Sequence, residues 1–290
     1  MRYLSFLFVL LVSCASPSIH PREKKPVSNG NVSISYDLKG TGDTLLVLVH
    51  GWAINKDYWK NQVDTFSKRF TVAAIDLGGH GQSGKNRESF TAADYANDVM
   101  AVINAVGADH IILVGHSMSG DIVLQVANKI PGKVKGIIGV DNFKSVSESY
   151  SKADEAGIDS FKIALHKNYK EVVTEWCYKG LFPPGYSDSN MIKKLLSDVL
   201  ATDSSISIKT IENMIASDLG IGERLKKLSI PLYVITSDYA PVDVATLKKY
   251  CRAGFYEKII RGTGHYPMLE KPEAFNRLLF EIADDIAKRN

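Results

Sequence analysis

The stretch Ile111-Ile112-Leu113-Val114-Gly115-His116-Ser117-Met118-Ser119-Gly120 decides the fold of this 290-residue chain. It begins as a short apolar run and ends in a turn of small residues. Beyond the turn, Ile122, Val123, Val126 and Ala127 recur at helical spacing. The pattern predicts strand, sharp turn, helix, with Ser117 at the turn. Such a turn holds its serine in a strained backbone conformation and thrusts the hydroxyl out beyond the sheet. Small residues two before and two or three after it let strand and helix approach each other. Gly115 fills the first position, while Ser119 and Gly120 fill the second and third.

The flanking segments give this turn its context. Residues 44–49 read as a fully apolar strand running into His50-Gly51-Trp52. Residues 70–75 form another, ending in the glycine-rich run from Asp76 to Gly84. Helical periodicity over 91–106 has Thr91 as its N-cap and Asp94 at the third helical position. A strand over 134–140 ends at Asp141. The sheet resumes over 231–236 and closes with 255–260, followed by Gly262-Thr263-Gly264-His265 and a helix over 272–287. Ahead of all these, Asn29-Gly30 predicts a hairpin in which Val32, Ile34 and Tyr36 alternate. Strands alternating with helices imply an α/β fold with a doubly wound, mostly parallel sheet, whose site lies at the strands' carboxyl ends.

Within 142–228 the alternation stops. Amphipathic pieces at 169–178 and 190–200, broken by Pro183-Pro184-Gly185, read as a helical lid inserted between two strands. Phe161, Trp176 and Phe182 are expected on its inner face. The domain organisation is therefore a core first part at 27–141, the lid at 142–228, and a core second part at 229–290.

His50-Gly51-Trp52, Asp76 to Gly84, Gly115 to Gly120, and Gly264-His265 with Glu270, Pro272 and Phe275 resemble, in order and context, the motifs of the α/β-hydrolase superfamily. The resemblance covers the chain from about Val27 onward, except the lid. It implies a serine hydrolase with Ser117 as nucleophile and His265 as the base that takes its proton. It also implies an oxyanion hole made by the backbone amides of Trp52 and Met118. The acid has two candidate positions. The strand that usually carries it has Ala240 at the expected place, with Asp238 close by. Asp141 ends the preceding strand, and the run 134–141 resembles a subgroup of haloalkane dehalogenases that place their acid there; the reading favours Asp141. His50, His80 and His116 match loop-supporting positions.

Residues 1–14 read as an export signal: Met1-Arg2, an apolar run too short to span a bilayer, then Leu11-Val12-Ser13-Cys14. The last four resemble the lipobox of bacterial lipoproteins, which implies lipidation at Cys14. Residues 15–26 then form a tether, and the membrane contact expected is the lipid anchor alone, with the enzyme facing the periplasm or cell surface. Cys177 and Cys251 can pair after export or stay free. A net charge of +3 without a basic patch excludes nucleic acid as a partner. No histidine pair has metal-ligand context and Gly78 to Gly84 lacks a phosphate-loop lysine, so neither metal nor other cofactor is expected. The expected reaction is hydrolysis of a small or medium carboxylic ester through an acyl-serine. A lactonase, an amidase or peptidase, a C–C bond hydrolase and a low-turnover sensor remain as alternatives. Nothing in the sequence sets the oligomeric state.

Overall fold

The inner apolar runs become strands because each lies between others and is covered by helices on both faces. The computed structural model describes residues 26–144, 146–186 and 188–289. Residues 1–25, and with them Cys14, lie outside the described residues. The strands are β1 (Val27–Asn29), β2 (Val32–Ile34), β3 (Tyr36–Lys39), β4 (Thr44–Val49), β5 (Thr71–Ile75), β6 (His110–His116), β7 (Val134–Val140), β8 (Leu232–Ser237) and β9 (Phe255–Ile260). Seven of them form one sheet in the order β3-β5-β4-β6-β7-β8-β9. Only the edge pair β3–β5 is antiparallel. This is the α/β-hydrolase fold, a mostly parallel sheet flanked by helices.

The hairpin is shorter than the alternation suggests. β1 and β2 pair around Asn29-Gly30, with Gly30 at φ +59°, but Tyr36 belongs to β3 and pairs with Ile75. The chain changes sheets at Ser35, whose amide donates to the Ser83 hydroxyl at 2.8 Å.

Ten helices are described: α1 (Lys60–Phe66), α2 (Ala92–Val106), α3 (Ser119–Lys129), α4 (Lys152–Glu175), α5 (Ser189–Ala201), α6 (Ser204–Asp218), α7 (Ile221–Lys226), α8 (Val244–Tyr250), α9 (Pro267–Glu270) and α10 (Pro272–Lys288). α2 packs beside α3 on the sheet, and α1 beside α10. Thr91 caps α2 reciprocally: its hydroxyl accepts from the Asp94 amide at 3.2 Å, and the Asp94 carboxylate accepts from the Thr91 amide at 2.9 Å. α10 starts on Pro272 and buries Phe275, Leu279, Ile282, Ala283 and Ile286, a stripe at helical spacing.

Helices α4 to α7 stand between β7 and β8. The periodicity at 169–178 marks only the end of α4, which begins under a Ser151–Asp154 cap and breaks at Asn168 (φ −140°, ψ +49°) before a wide π-type turn over Trp176–Gly180. The insertion is tied to the core at several points. Trp52 Nε1 donates to the Ser207 carbonyl at 2.8 Å, Tyr58 to Asp198 at 2.7 Å, and Thr202 to the Ala53 carbonyl at 3.0 Å. The Tyr95 and Thr210 hydroxyls lie 2.7 Å apart, and Asn213 donates to the Phe90 carbonyl at 3.3 Å. Cys177 and Cys251 are separate buried thiols, pushed up to about 11 and about 12 by burial.

Candidate active site

Ser117 sits between β6 and α3 at φ +53°, a conformation that L-residues rarely adopt. The turn is pinned on both sides: the Ser117 amide donates to the Val140 carbonyl at 2.9 Å, and the Ser117 carbonyl accepts from Gly120 at 3.0 Å. Close approach requires the glycine at 115, where a Cβ would lie 2.4 Å from the Ser119 carbonyl oxygen. The serine at 119 has its own function in the turn. It is fully buried, and its hydroxyl donates to the His50 carbonyl, joining the elbow to the loop after β4. A Cβ on Gly51 would meet His116 Nδ1 at 2.6 Å and Ser117 Cβ at 3.3 Å, so that loop lies directly against the serine.

His265 follows β9, and Glu270 holds its loop from both sides: the carboxylate accepts from the Gly264 amide at 2.7 Å and the Tyr266 amide at 2.9 Å. The His265 amide donates to Leu181 of the insertion at 2.9 Å. His265 Nε2 is 2.8 Å from Ser117 Oγ, and Nδ1 is 2.6 Å from Asp141 Oδ2. With Nδ1 protonated and donating to the carboxylate, Nε2 is free to accept from the serine hydroxyl.

Asp141 is 1% exposed and takes φ +46°. Its amide donates to Ile235 at 2.9 Å. Its second oxygen, Oδ1, accepts from the Ser237 amide at 3.0 Å, the Ser237 hydroxyl at 2.8 Å, the Thr236 hydroxyl at 3.1 Å and Lys144 Nζ at 2.7 Å. Burial disfavours the charge, but His265 and Lys144 hold the carboxyl well below the usual carboxylate range. Asp238 is exposed and accepts from the Gly262 amide at 2.8 Å, which fixes a loop rather than the imidazole.

The other buried histidines are kept neutral by burial, which disfavours the imidazolium: His50 falls to about 4, and His80 and His116 to about 3. His116 Nε2 donates to the His265 carbonyl at 2.8 Å, and His50 Nε2 accepts from the Leu77 amide at 3.1 Å.

A cavity of about 240 Å³ opens onto Ser117 and His265. Its apolar walls are Phe90, Tyr95, Met118, Phe143, Met214 and Ile221. Of the insertion, Phe143, Met214, Ser217, Asp218 and Ile221 face the cavity, whereas Phe161, Trp176 and Phe182 do not line it. Trp176 packs on Trp52 at 5.2 Å between ring centroids, Phe161 stands edge-on to Trp176, and Phe182 stacks on Tyr186 at 4.4 Å. Met214 reads from sequence as core or lid packing, since methionine at helical spacing carries no other signal, yet it lines the cavity. Lys144 carries no sequence signal, because it follows Asp141 in an irregular segment where no periodicity brings the two side chains together.

A family model described as the alpha/beta hydrolase fold matches residues 44–168. The chain is 31% identical over 134 residues to 2-(acetamidomethylene)succinate hydrolase of Mesorhizobium japonicum, which covers 46% of this chain and 48% of that protein. It thus spans about half the length of that curated relative. It is 25% identical over 259 residues to a pimeloyl-[acyl-carrier protein] methyl ester esterase of Yersinia enterocolitica, covering 86% of this chain and 96% of that one. Among solved structures, a thermophilic esterase from Thermogutta terrifontis superposes with a TM-score of 0.76 at 20% identity, covering 90% of this chain and 98% of the other.

Proposed function

We propose that this chain, an α/β-hydrolase by fold, is a serine hydrolase that cleaves small or medium carboxylic esters. The observation that carries this reading is the unbroken hydrogen-bonded line from Ser117 Oγ through His265 to Asp141 Oδ2. Ser117 Oγ attacks the ester carbonyl carbon while His265 Nε2 takes the hydroxyl proton. Asp141, kept ionised, stabilises the imidazolium and holds its tautomer. The carbonyl oxygen becomes an oxyanion, which the backbone amides of Met118 and Trp52 stabilise. The close contact of Gly51 with Ser117 supports the assignment of Trp52. His265 then returns its proton to the departing alkoxide, leaving an acyl-serine. Water, deprotonated by the same imidazole, releases the acid and restores the serine.

The apolar cavity walls favour an acyl group without charge at its start. The name of the Yersinia relative, a methyl ester esterase, points the same way. Lactones, amides and C–C bonds would use the same three groups. A panel of short esters, long esters, lactones and aminoacyl amides, run on the full chain in detergent, tests the reading. Highest turnover on short or medium esters is expected; no turnover of any member would favour a sensor, and a preference for another member would reassign the bond cleaved.

Met214 gives the insertion a role as a selective lid. Met214→Trp fills part of the cavity and should shift preference toward shorter acyl chains, read as a ratio of kcat/KM between a two-carbon and an eight-carbon ester of about 10-fold or more. An unchanged ratio would remove Met214 from the acyl site.

Residues 1–14 support the companion proposal of export and lipid anchoring at Cys14. Cys14→Ser should release the chain from membranes or block its maturation, and an unmodified mature N-terminus beyond Cys14, seen by mass spectrometry, would refute it.

A further inference from the structure

Lys144 lies between the two strand ends that can supply the acid of such a site. Its ammonium has three donors, and each has a partner: Asp141 Oδ1 at 2.7 Å, Thr236 Oγ1 at 2.5 Å and the Ala240 carbonyl. Thr236 in turn donates to the same Asp141 oxygen at 3.1 Å. Ala240 is the position where the sequence lacks the usual acid, so the lysine joins the empty acid position to the occupied one. Lys144 borders the cavity, yet its donors are spent on protein oxygens and none is left for a substrate carboxylate. The backbone around it is held to fit, since Asp141 and Phe143 take φ +46° and +54° and the Lys144 carbonyl accepts from Asp243 at 3.3 Å.

We propose that Lys144 is a positioning residue that clamps the Asp141 carboxylate and, through its charge, lowers the pH at which His265 can act as a base. The proposal rests on the serine-hydrolase reading given above. A carboxylate alone would favour the imidazolium strongly; a cation on its far oxygen cancels part of that field at the ring. The remaining groups facing His265 are the same in every Lys144 variant, so a shift between variants reads this pair. His116 behind the ring is neutral, and the Tyr266 phenol is held protonated by burial. Glu270, on the loop itself, is held by the two flanking amides and adds a second carboxylate near the ring that every Lys144 variant shares.

The test is the pH dependence of kcat/KM on a generic ester, with covalent labelling by a fluorophosphonate as control. Lys144→Met should move the acid limb upward by roughly 1 pH unit, because the uncompensated carboxylate keeps His265 protonated to higher pH. On the alkaline plateau kcat/KM should fall roughly 10-fold as the carboxylate loses its clamp. Lys144→Arg, which keeps the charge, should restore the limb to near its original position even where the plateau stays low. Lys144→Gln keeps polar contacts without charge and reads the same limb if the methionine variant does not fold. A limb that stays in place in both neutral variants, in an enzyme that still turns over and labels, overturns the proposal. Failure of the wild type to label at all would instead sink the serine-hydrolase reading.

Discussion

Ser117→Ala is expected to abolish labelling by a fluorophosphonate and to lower turnover by roughly 10⁴-fold or more. The expectation follows from a single hydroxyl lying 2.8 Å from His265 Nε2 at the mouth of the cavity. The substitution is also clean. Alanine meets the same backbone penalty as serine at φ +53°, and the turn's two backbone bonds do not involve the side chain. Folding stability should therefore stay within about 1 kcal/mol of wild type, checked by urea unfolding. Labelling that survives in the alanine variant would place the nucleophile elsewhere.

The second large effect is expected at Asp141. Asp141→Asn should cut kcat by roughly 10²–10⁴-fold with little change in KM, because an amide cannot stabilise the imidazolium and can favour the wrong tautomer. It also leaves Lys144 beside a neutral group, so some loss of stability accompanies the kinetic effect. Asp238→Asn should leave turnover within about 3-fold of wild type, since its carboxylate holds only the Gly262 amide. A crippled Asp238→Asn beside a healthy Asp141→Asn would reverse the assignment. The two variants compared in one assay separate a carboxylate that faces the imidazole from one that only closes a loop.

The fold is legible in the sequence because each buried strand is a short apolar run ended by small or polar residues. Ile111 to Gly120 announces strand, turn and helix, and the structure has β6 and α3 on either side of Ser117. Asp141 is legible because it closes such a run, and the strand-end geometry brings it to His265. What escapes has no period. Ser119 stands in place of a glycine, and its tie to the His50 carbonyl depends on a loop sixty-nine residues earlier in the chain. Tyr36 continues the hairpin's alternation but pairs elsewhere, because alternation alone does not say which sheet a strand joins. The insertion is the least legible part. Phe161 and Trp176 satisfy each other and Trp52, while the cavity receives Phe143, Met214 and Ile221. Amphipathic patterning separates buried from exposed faces but does not distinguish a wall that packs against protein from one that meets a ligand.

The bonds from Trp52, Ala53, Tyr58, Phe90 and Tyr95 to residues 198–213 tie the insertion to the core beside the cavity that Met214 and Ile221 line. On the reading proposed above, an ester arriving at Ser117 finds its surroundings already assembled, and little of its binding energy should be diverted into closure. If the chain is the serine hydrolase proposed above, its rate is expected to follow simple saturation, with no jump when lipid aggregates form, as an assay spanning the substrate's solubility limit would show. On that reading selectivity lies in the contour of the chamber, where exchanging one wall residue is expected to act on the acyl chain directly.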